Sequence, residues 1–339
     1  MAESKMIRAG VVGLGQMGIQ HLAALGALTR REVCVYDSNE RLLKVVRDVA
    51  KRVCPHEDLE SLLKEANLRA VFVCTPVQTH EDLVKSVISM SANAVGIFVE
   101  KPLTVNYASA RDLEFRLRGS KRTNMVGFQK RFNGVFSRTK RLLEDGVLGS
   151  VQYYLAHSYS FDIQRRTKGW KFDSPDGGVV LDYGVHMLDL VAWFFGEPRV
   201  ETSYRKRLFS SSVEDYAHVV LNHQGVVGTV DMGWSMRNYV PSEHSIEIHG
   251  TNGAIIATED QLTLYIDTAV KGVVEAGAHT FHSSQLAAPP SYLLTYPEYS
   301  LEDEYFLRSC ANESAAQPDF DVASKANQLA DEIRRHAFL

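Results

Sequence analysis

Short apolar runs alternate with longer amphipathic stretches over the first third of the chain. Ile7–Val12, Glu32–Tyr36, Ala70–Cys74, Val95–Val99 and Asn124–Val126 read as strands. Between them, residues 17–28, 40–51, 58–66, 79–90 and 104–118 carry apolar positions at helical spacing. Strands alternating with helices argue for βαβ units with right-handed crossovers, and so for an α/β fold with a doubly wound parallel sheet.

Past residue 150 the pattern changes. Val151–Ser160, Arg199–Leu208, Tyr216–Leu221, Val226–Gly233, Ser245–His249 and Ala254–Ala257 read as strands. Asn222-His223-Gln224-Gly225 and Gly250-Thr251-Asn252-Gly253 supply turn chemistry between neighbours, which predicts hairpins and a mostly antiparallel sheet. Helical spacing recurs at 133–144, 181–195, 300–312 and 320–336. Residues 266–298, with Pro289-Pro290, read as edge strands plus a long loop.

A length of 339 residues fits two domains and is ample to bury a core without disulfides or metals. With 45% hydrophobic and 23% charged residues, disordered, collagenous and disulfide-scaffold classes are excluded. The net charge of −4 gives no broad footprint for nucleic acid or an anionic membrane. Cys34, Cys54, Cys74 and Cys310 lie far apart, with no C-x-x-C pair and no linear Cys/His cluster, so no metal is expected. Cys34 and Cys74 fall in apolar runs, as buried thiols of a reducing compartment would. Met1–Lys5 is polar and Ile7–Gly13 is too short for a signal segment or a membrane span. The expectation is a cytoplasmic, soluble protein.

Gly13-Leu14-Gly15-Gln16-Met17-Gly18 fits G-x-G-x-x-G and stands between a strand and a helix, the context in which that pattern cradles a pyrophosphate. Gly13 permits the turn, Gly15 the close approach of the backbone, and Gly18 the packing of helix on strand. Asp37 ends the second strand, where a carboxylate can accept from the adenosine ribose hydroxyls. It repels a 2′-phosphate, so NAD is favoured over NADP, although Ser38 and Arg41 could soften that preference. Cys74-Thr75-Pro76 with Thr79-His80, and Glu100-Lys101-Pro102, close the third and fourth strands at the ligand-binding edge. Thr79 can equally be a simple helix cap.

The run from Asp176 to Phe195 is the most informative. After Gly177-Gly178 it is apolar almost all round, yet Asp182, His186 and Asp189 sit at i, i+4 and i+7 on one helical face. Buried ionisable groups are costly unless paired or employed. Asp182 polarising His186 is a common acid/base arrangement. The alternative is an Asp at a helix start and a satisfied core His.

Taken in order, Gly13–Gly18 with Asp37, Thr75-Pro76 with His80, Glu100-Lys101-Pro102, Gly127-Phe128 with Arg131-Phe132, and Gly177–Asp189 resemble the Gfo/Idh/MocA oxidoreductases (glucose–fructose oxidoreductase, inositol dehydrogenase). The resemblance spans nearly the whole chain. It implies a Rossmann domain over 1–125 and an α/β domain with a large open sheet over 126–339, the C-terminal helix packing back on the first. It also implies an active site between the domains and homodimers or homotetramers formed through the sheet. By that likeness Lys101, Asp182 and His186 are catalytic, with His186 the acid/base. Gln16, Met17, Ser38, Thr75, Pro76, His80, Glu100, Lys101 and Trp170 line the cofactor, and a cis peptide precedes Pro102. Arg131, Tyr159, Asp176 and Tyr183 are substrate candidates. Where many members have three glycines before the catalytic helix, this chain has Asp176-Gly177-Gly178. The implied reaction is hydride transfer between a nicotinamide cofactor and a secondary alcohol or ketone of a sugar, sugar derivative or cyclitol. A redox-neutral NAD-dependent glycosidase and a non-catalytic dinucleotide-binding regulator are the alternatives.

Overall fold

The computed structural model describes residues 7–29, 31–91, 93–162, 170–286 and 296–336. Its first part runs β1 (Arg8–Val12), α1 (Gln16–Leu28), β2 (Val33–Tyr36), α2 (Glu40–Val49), β3 (Val53–Pro55) and α3 (Leu59–Leu63). β4 (Leu68–Val73), α4 (His80–Met90), β5 (Gly96–Glu100), α5 (Tyr107–Leu117) and β6 (Thr123–Gly127) follow. Next come α6 (Gly134–Glu144), β7 (Val151–Tyr159), α7 (Trp170–Asp173), α8 (Val185–Phe195) and β8 (Arg199–Lys206). β9 (Tyr216–His223), β10 (Val226–Gly233), β11 (Glu243–Gly250), β12 (Gly253–Ala257), β13 (Gln261–Ile266) and β14 (Gly277–His282) complete the strands. α9 (Ser283–Leu286), α10 (Pro297–Ala311) and α11 (Phe320–Arg335) close the chain.

Two compact units divide it, Met1–Gln129 with Pro290–Ser324, and Lys130–Pro289 with Lys325–Leu339. In the first, six parallel strands take the order β3-β2-β1-β4-β5-β6, the doubly wound arrangement that the alternating pattern predicts. Helices on both faces leave the central strands dry, so β4 and β5 are nearly continuous apolar runs. β3 carries too little pattern to read from sequence. It is three residues long, and Pro55 lacks a ladder donor, which suits an edge. α10 packs in this unit and sends Phe306 against Phe72 and Phe98, with ring centroids 5.3 and 5.5 Å away.

In the second unit eight strands take the order β14-β13-β12-β11-β7-β10-β9-β8. All neighbours are antiparallel except β7 and β10. Gln224 and Gly225 turn β9 into β10 with φ of 56° and 115°, the two left-handed positions of a tight hairpin. β9 alternates buried and half-buried positions along its length, because one face packs on the core and the other does not. α8 lies against that packed face, with Val185 through Val191 all buried. The stretch expected as edge strands plus a loop supplies β14, α9 and the start of α10, and its residues 287–295 lie outside the described residues. Among the described residues, no helix is long and apolar enough to cross a membrane.

Candidate active site

At the glycine loop, α1 begins at Gln16 with no side-chain cap and no acidic residue in its first turn among the described residues. Its first N–H donors and the positive end of its dipole are left for an anion. Gly18 has no room for a side chain, since a Cβ there would lie 1.8 Å from the Gly13 carbonyl oxygen. Asp37 is tied to this loop directly. Its Oδ2 accepts the Leu14 N–H at 2.6 Å and its Oδ1 the Asn39 N–H at 2.7 Å. Each oxygen keeps a lone pair for a ribose hydroxyl, and the loop donors are in place for phosphate, so these residues fit a dinucleotide. Gly15, Gln16 and Ser38 are exposed, while Met17, Asp37 and Thr75 are half-buried.

The neighbouring strand ends divide into exposed and supporting groups. Pro76 is exposed, and Thr79 does not cap α4; its hydroxyl lies 2.7 Å from Thr75 Oγ1 and 2.8 Å from the Pro76 carbonyl. His80 is buried, with Nε2 2.8 Å from the Thr75 carbonyl and Nδ1 3.0 Å from that of Pro102. It ties the β4 loop to the turn after β5. Burial pushes its pKa down, against the pull of these carbonyls. Glu100 is buried as well: Oε2 accepts the Lys101 N–H at 3.1 Å and Oε1 lies 2.8 Å from His21 Nε2. His80 and Glu100, both read as cofactor positions, also support from within the Lys101–Pro102 turn, whose peptide is cis. Lys101 itself is half-buried.

In the second unit the segment read as catalytic departs from a uniform α-helix. A π turn over Val180–Gly184 precedes α8, so Asp182 and His186 do not share one continuous α-helical face. Gly178 lets the chain enter at φ +108°, with the Glu214 carboxyl packed where a side chain would stand. Asp182 Oδ2 accepts from Lys171 Nζ at 3.1 Å. His186 is 4% exposed and meets the His244 ring edge to face, with centroids 5.5 Å apart. Tyr183 Oη lies 3.3 Å from His244 Nδ1.

His244 in turn belongs to Glu259. The carboxylate lies 2.8 Å from His244 Nδ1, accepts its backbone N–H at 3.0 Å, and pairs with Lys130 Nζ at 3.0 Å. Burial alone would raise the Glu259 carboxyl, but His244 and Lys130 hold it down at about 2. Sequence reading missed Lys130, Lys171, His244 and Glu259. One signal existed: His244 heads the alternate positions Ile246 and Ile248, which form the buried face of β11.

Two substrate candidates have side-chain partners of their own. Arg131 is bound to Asp189 by two bonds of 2.7 Å and stacks 5.2 Å above Trp193. Tyr159 stacks on His157 and against Tyr239, on the sheet face opposite the Tyr154 and Ala156 side chains that pack towards α8. Asp176 and Tyr183 are half-buried, at the entry and within the π turn. Trp170 begins α7. Strand pairing also creates a grouping that linear spacing hides. Cys34 and Cys54 face each other across β2 and β3, and with His56 could hold a metal. The Cys34 thiol, however, is pushed up to about 12 by burial in spite of the Arg8 guanidinium beside it, and that burial disfavours the thiolate a metal needs.

Residues 7–128 match the model of an oxidoreductase family with an NAD-binding Rossmann fold, and residues 136–256 that of the GFO/IDH/MocA C-terminal domain. The chain is 28% identical to an oxidoreductase of Schizosaccharomyces pombe over 64% of its length, and spans 60% of that protein. It is 25% identical to the inositol 2-dehydrogenase of Rhizobium meliloti over 96% of its length and 95% of that enzyme's. Among solved structures, levoglucosan dehydrogenase in complex with NADH and levoglucosan superposes with a TM-score of 0.84 at 19% identity. That match covers 97% of this chain and 96% of the other, and shows the shared fold.

The Arg131–Asp189 pair carries a stability prediction. Asp189 is 2% exposed; burial raises its carboxyl pKa and Arg131 pulls it back. Asp189→Ala leaves a buried guanidinium unpaired, which should cost about 3–5 kcal/mol in urea denaturation. A loss below about 1 kcal/mol, the scale of an exposed pair, would show that the contact contributes little.

Proposed function

The chain belongs to the Gfo/Idh/MocA oxidoreductase family, and on that premise we propose that it is an NAD-dependent dehydrogenase of a secondary alcohol on a sugar, sugar derivative or cyclitol. The observation that carries this reading is His186, an ionisable ring held 4% exposed on a largely apolar helix and set against the ring of His244. A histidine in such a setting is costly unless it has a task. The inositol and levoglucosan activities of the relatives support the substrate class.

The glycine loop and Asp37 hold the dinucleotide, which when bound supplies the hydride acceptor. His186 takes the hydroxyl proton, with Asp182 and Lys171 setting the charge around it. Lys101 orients the hydroxyl and stabilises the negative charge that develops on its oxygen. Asp176 and Tyr183 are the polar groups we assign to substrate hydroxyls; Arg131 is committed to Asp189 and is not among them.

The fixed Asp37 carboxylate favours NAD over NADP. Free cysteines and the absence of a spanning helix among the described residues suit a cytoplasmic enzyme. Tyr153, Leu155, Val227 and Tyr265 lie exposed on the open sheet face, an apolar surface that suits a homo-oligomer.

Two measurements test the reading. Fluorescence titration should show NADH binding tighter than NADPH, and equal or reversed affinity would contradict the role given to Asp37. With a polyol substrate, His186→Ala should lower kcat by about 10²–10⁴-fold while NADH binding is retained. Near-wild-type turnover in that variant would remove His186 from the proton step.

A further inference from the structure

His21 lies fully buried on α1, three residues after Gly18, inside a box formed by Phe72, Phe98 and Tyr299. Both of its ring nitrogens face carboxylates. Nε2 is 2.8 Å from Glu100 Oε1, and Nδ1 is 2.8 Å from Asp303 Oδ1. A neutral imidazole has a single N–H and can donate to one of them only. With both carboxyls ionised, the other contact would then set a ring lone pair against a carboxylate lone pair at hydrogen-bond distance. An imidazolium donates to both.

The Glu100 oxygen that does not meet His21 accepts the backbone N–H of Lys101. An unbroken series of contacts therefore runs from Asp303 on α10, through His21 on α1, to Glu100 at the end of β5 and the main chain of the lysine.

We propose that His21 is a positioning residue: held as an imidazolium between Asp303 and Glu100, it fixes the Glu100 carboxylate that anchors the Lys101 backbone, and so sets where the Lys101 ammonium stands. The inference rests on the reading that Lys101 acts on the substrate. His21 does not itself touch cofactor or substrate in this account.

The titratable groups that face His21 are Glu100 from β5, Cys74 from the end of β4, and Tyr299, Glu302 and Asp303 from α10. Burial pushes the Cys74 thiol up to about 12 and the Tyr299 hydroxyl well above its usual range, so both stay neutral. Glu302 is fully buried, and neither of its carboxyl oxygens has a hydrogen-bond partner among the described residues. Burial raises its pKa well above the usual range. The carboxyls that meet the ring are those of Glu100 and Asp303; burial pushes the Asp303 carboxyl up as well, and His21 beside it pulls it back. Burial disfavours the imidazolium while these carboxylates favour it, and the balance raises the His21 pKa well above 6.5. A raised pKa means that the imidazolium contribution is full below 6.5 and is lost only as pH climbs through the higher folded value.

The test uses ring nitrogen NMR of His21, amide exchange at Lys101 and steady-state kinetics on the full chain. In the wild type the ring should be doubly protonated at neutral pH. Asp303→Asn should lower the apparent pKa of the ring by about 1–3 units. It should also speed exchange of the Lys101 amide, and reduce kcat by up to about 10²-fold, the scale of a 1 Å displacement of a working group, with KM for NAD nearly unchanged. Glu302→Gln, next in sequence and equally buried, should leave ring, amide and kcat as in the wild type. A neutral His21 ring in the wild type would overturn the proposal, and that measurement needs no variant to fold. So would an Asp303→Asn protein that loses the imidazolium yet keeps Lys101 amide protection and kcat. The ring and amide readouts need no turnover. A wild type that reduces no NAD with any polyol would defeat the dehydrogenase reading while leaving the positioning of the lysine backbone to be decided by them.

Discussion

Bringing His21 to zero exposure between Glu100 and Asp303 obliges three segments far apart in sequence to meet inside the first unit. If any of them moved away, a charged group would be left unpaired against phenylalanine rings, at a cost comparable to a large part of the stability of a domain. α1, which opens the pyrophosphate loop, is thereby linked to the end of β5, which carries Lys101. α10 is drawn onto the same ligand edge. From the opposite side His80 reaches the carbonyls of Thr75 and Pro102. The turn that presents the lysine is supported from beneath by buried polar contacts and has little freedom to wander.

The second unit solves a similar problem with different groups. α8 is apolar nearly all round, and each ionisable side chain on or before it has an assigned neighbour. Asp189 holds Arg131, Asp182 holds Lys171, and His186 rests against a histidine that Glu259 orients. Asp182 and His186 are less buried or less committed than Asp189, whose two oxygens are both occupied by one guanidinium. The π turn at Val180–Gly184 sets Asp182 apart from the regular helix, a local feature often met at functional sites.

Much of this was legible in the sequence where the determinants are local. The period of the apolar positions revealed the doubly wound sheet, and turn chemistry at Gln224-Gly225 and Thr251-Asn252 marked the hairpins. The glycine loop and Asp37 were readable because strand, turn and helix follow one another directly. What stayed hidden depends on pairing at long range. Nothing near His21 announces Asp303, 282 positions away. Arg131 was a substrate candidate by resemblance alone, and its pairing with Asp189, 58 positions away, leaves no local mark in the sequence. For Tyr159, strand alternation from the buried Tyr154 puts its side chain on the opposite face of the sheet. Cys34, Cys54 and His56 converge only because β3, too short to be seen in advance, pairs beside β2.

The most direct test of the account is to oxidise a cyclitol or sugar carrying deuterium on the reacting carbinol carbon, with NAD and the full-length protein, and to follow the label. The account predicts NADH formed in equal amount to ketone, carrying deuterium at C4 of the nicotinamide. Reduced cofactor without the label, or product formed with no net reduction of NAD, would contradict it.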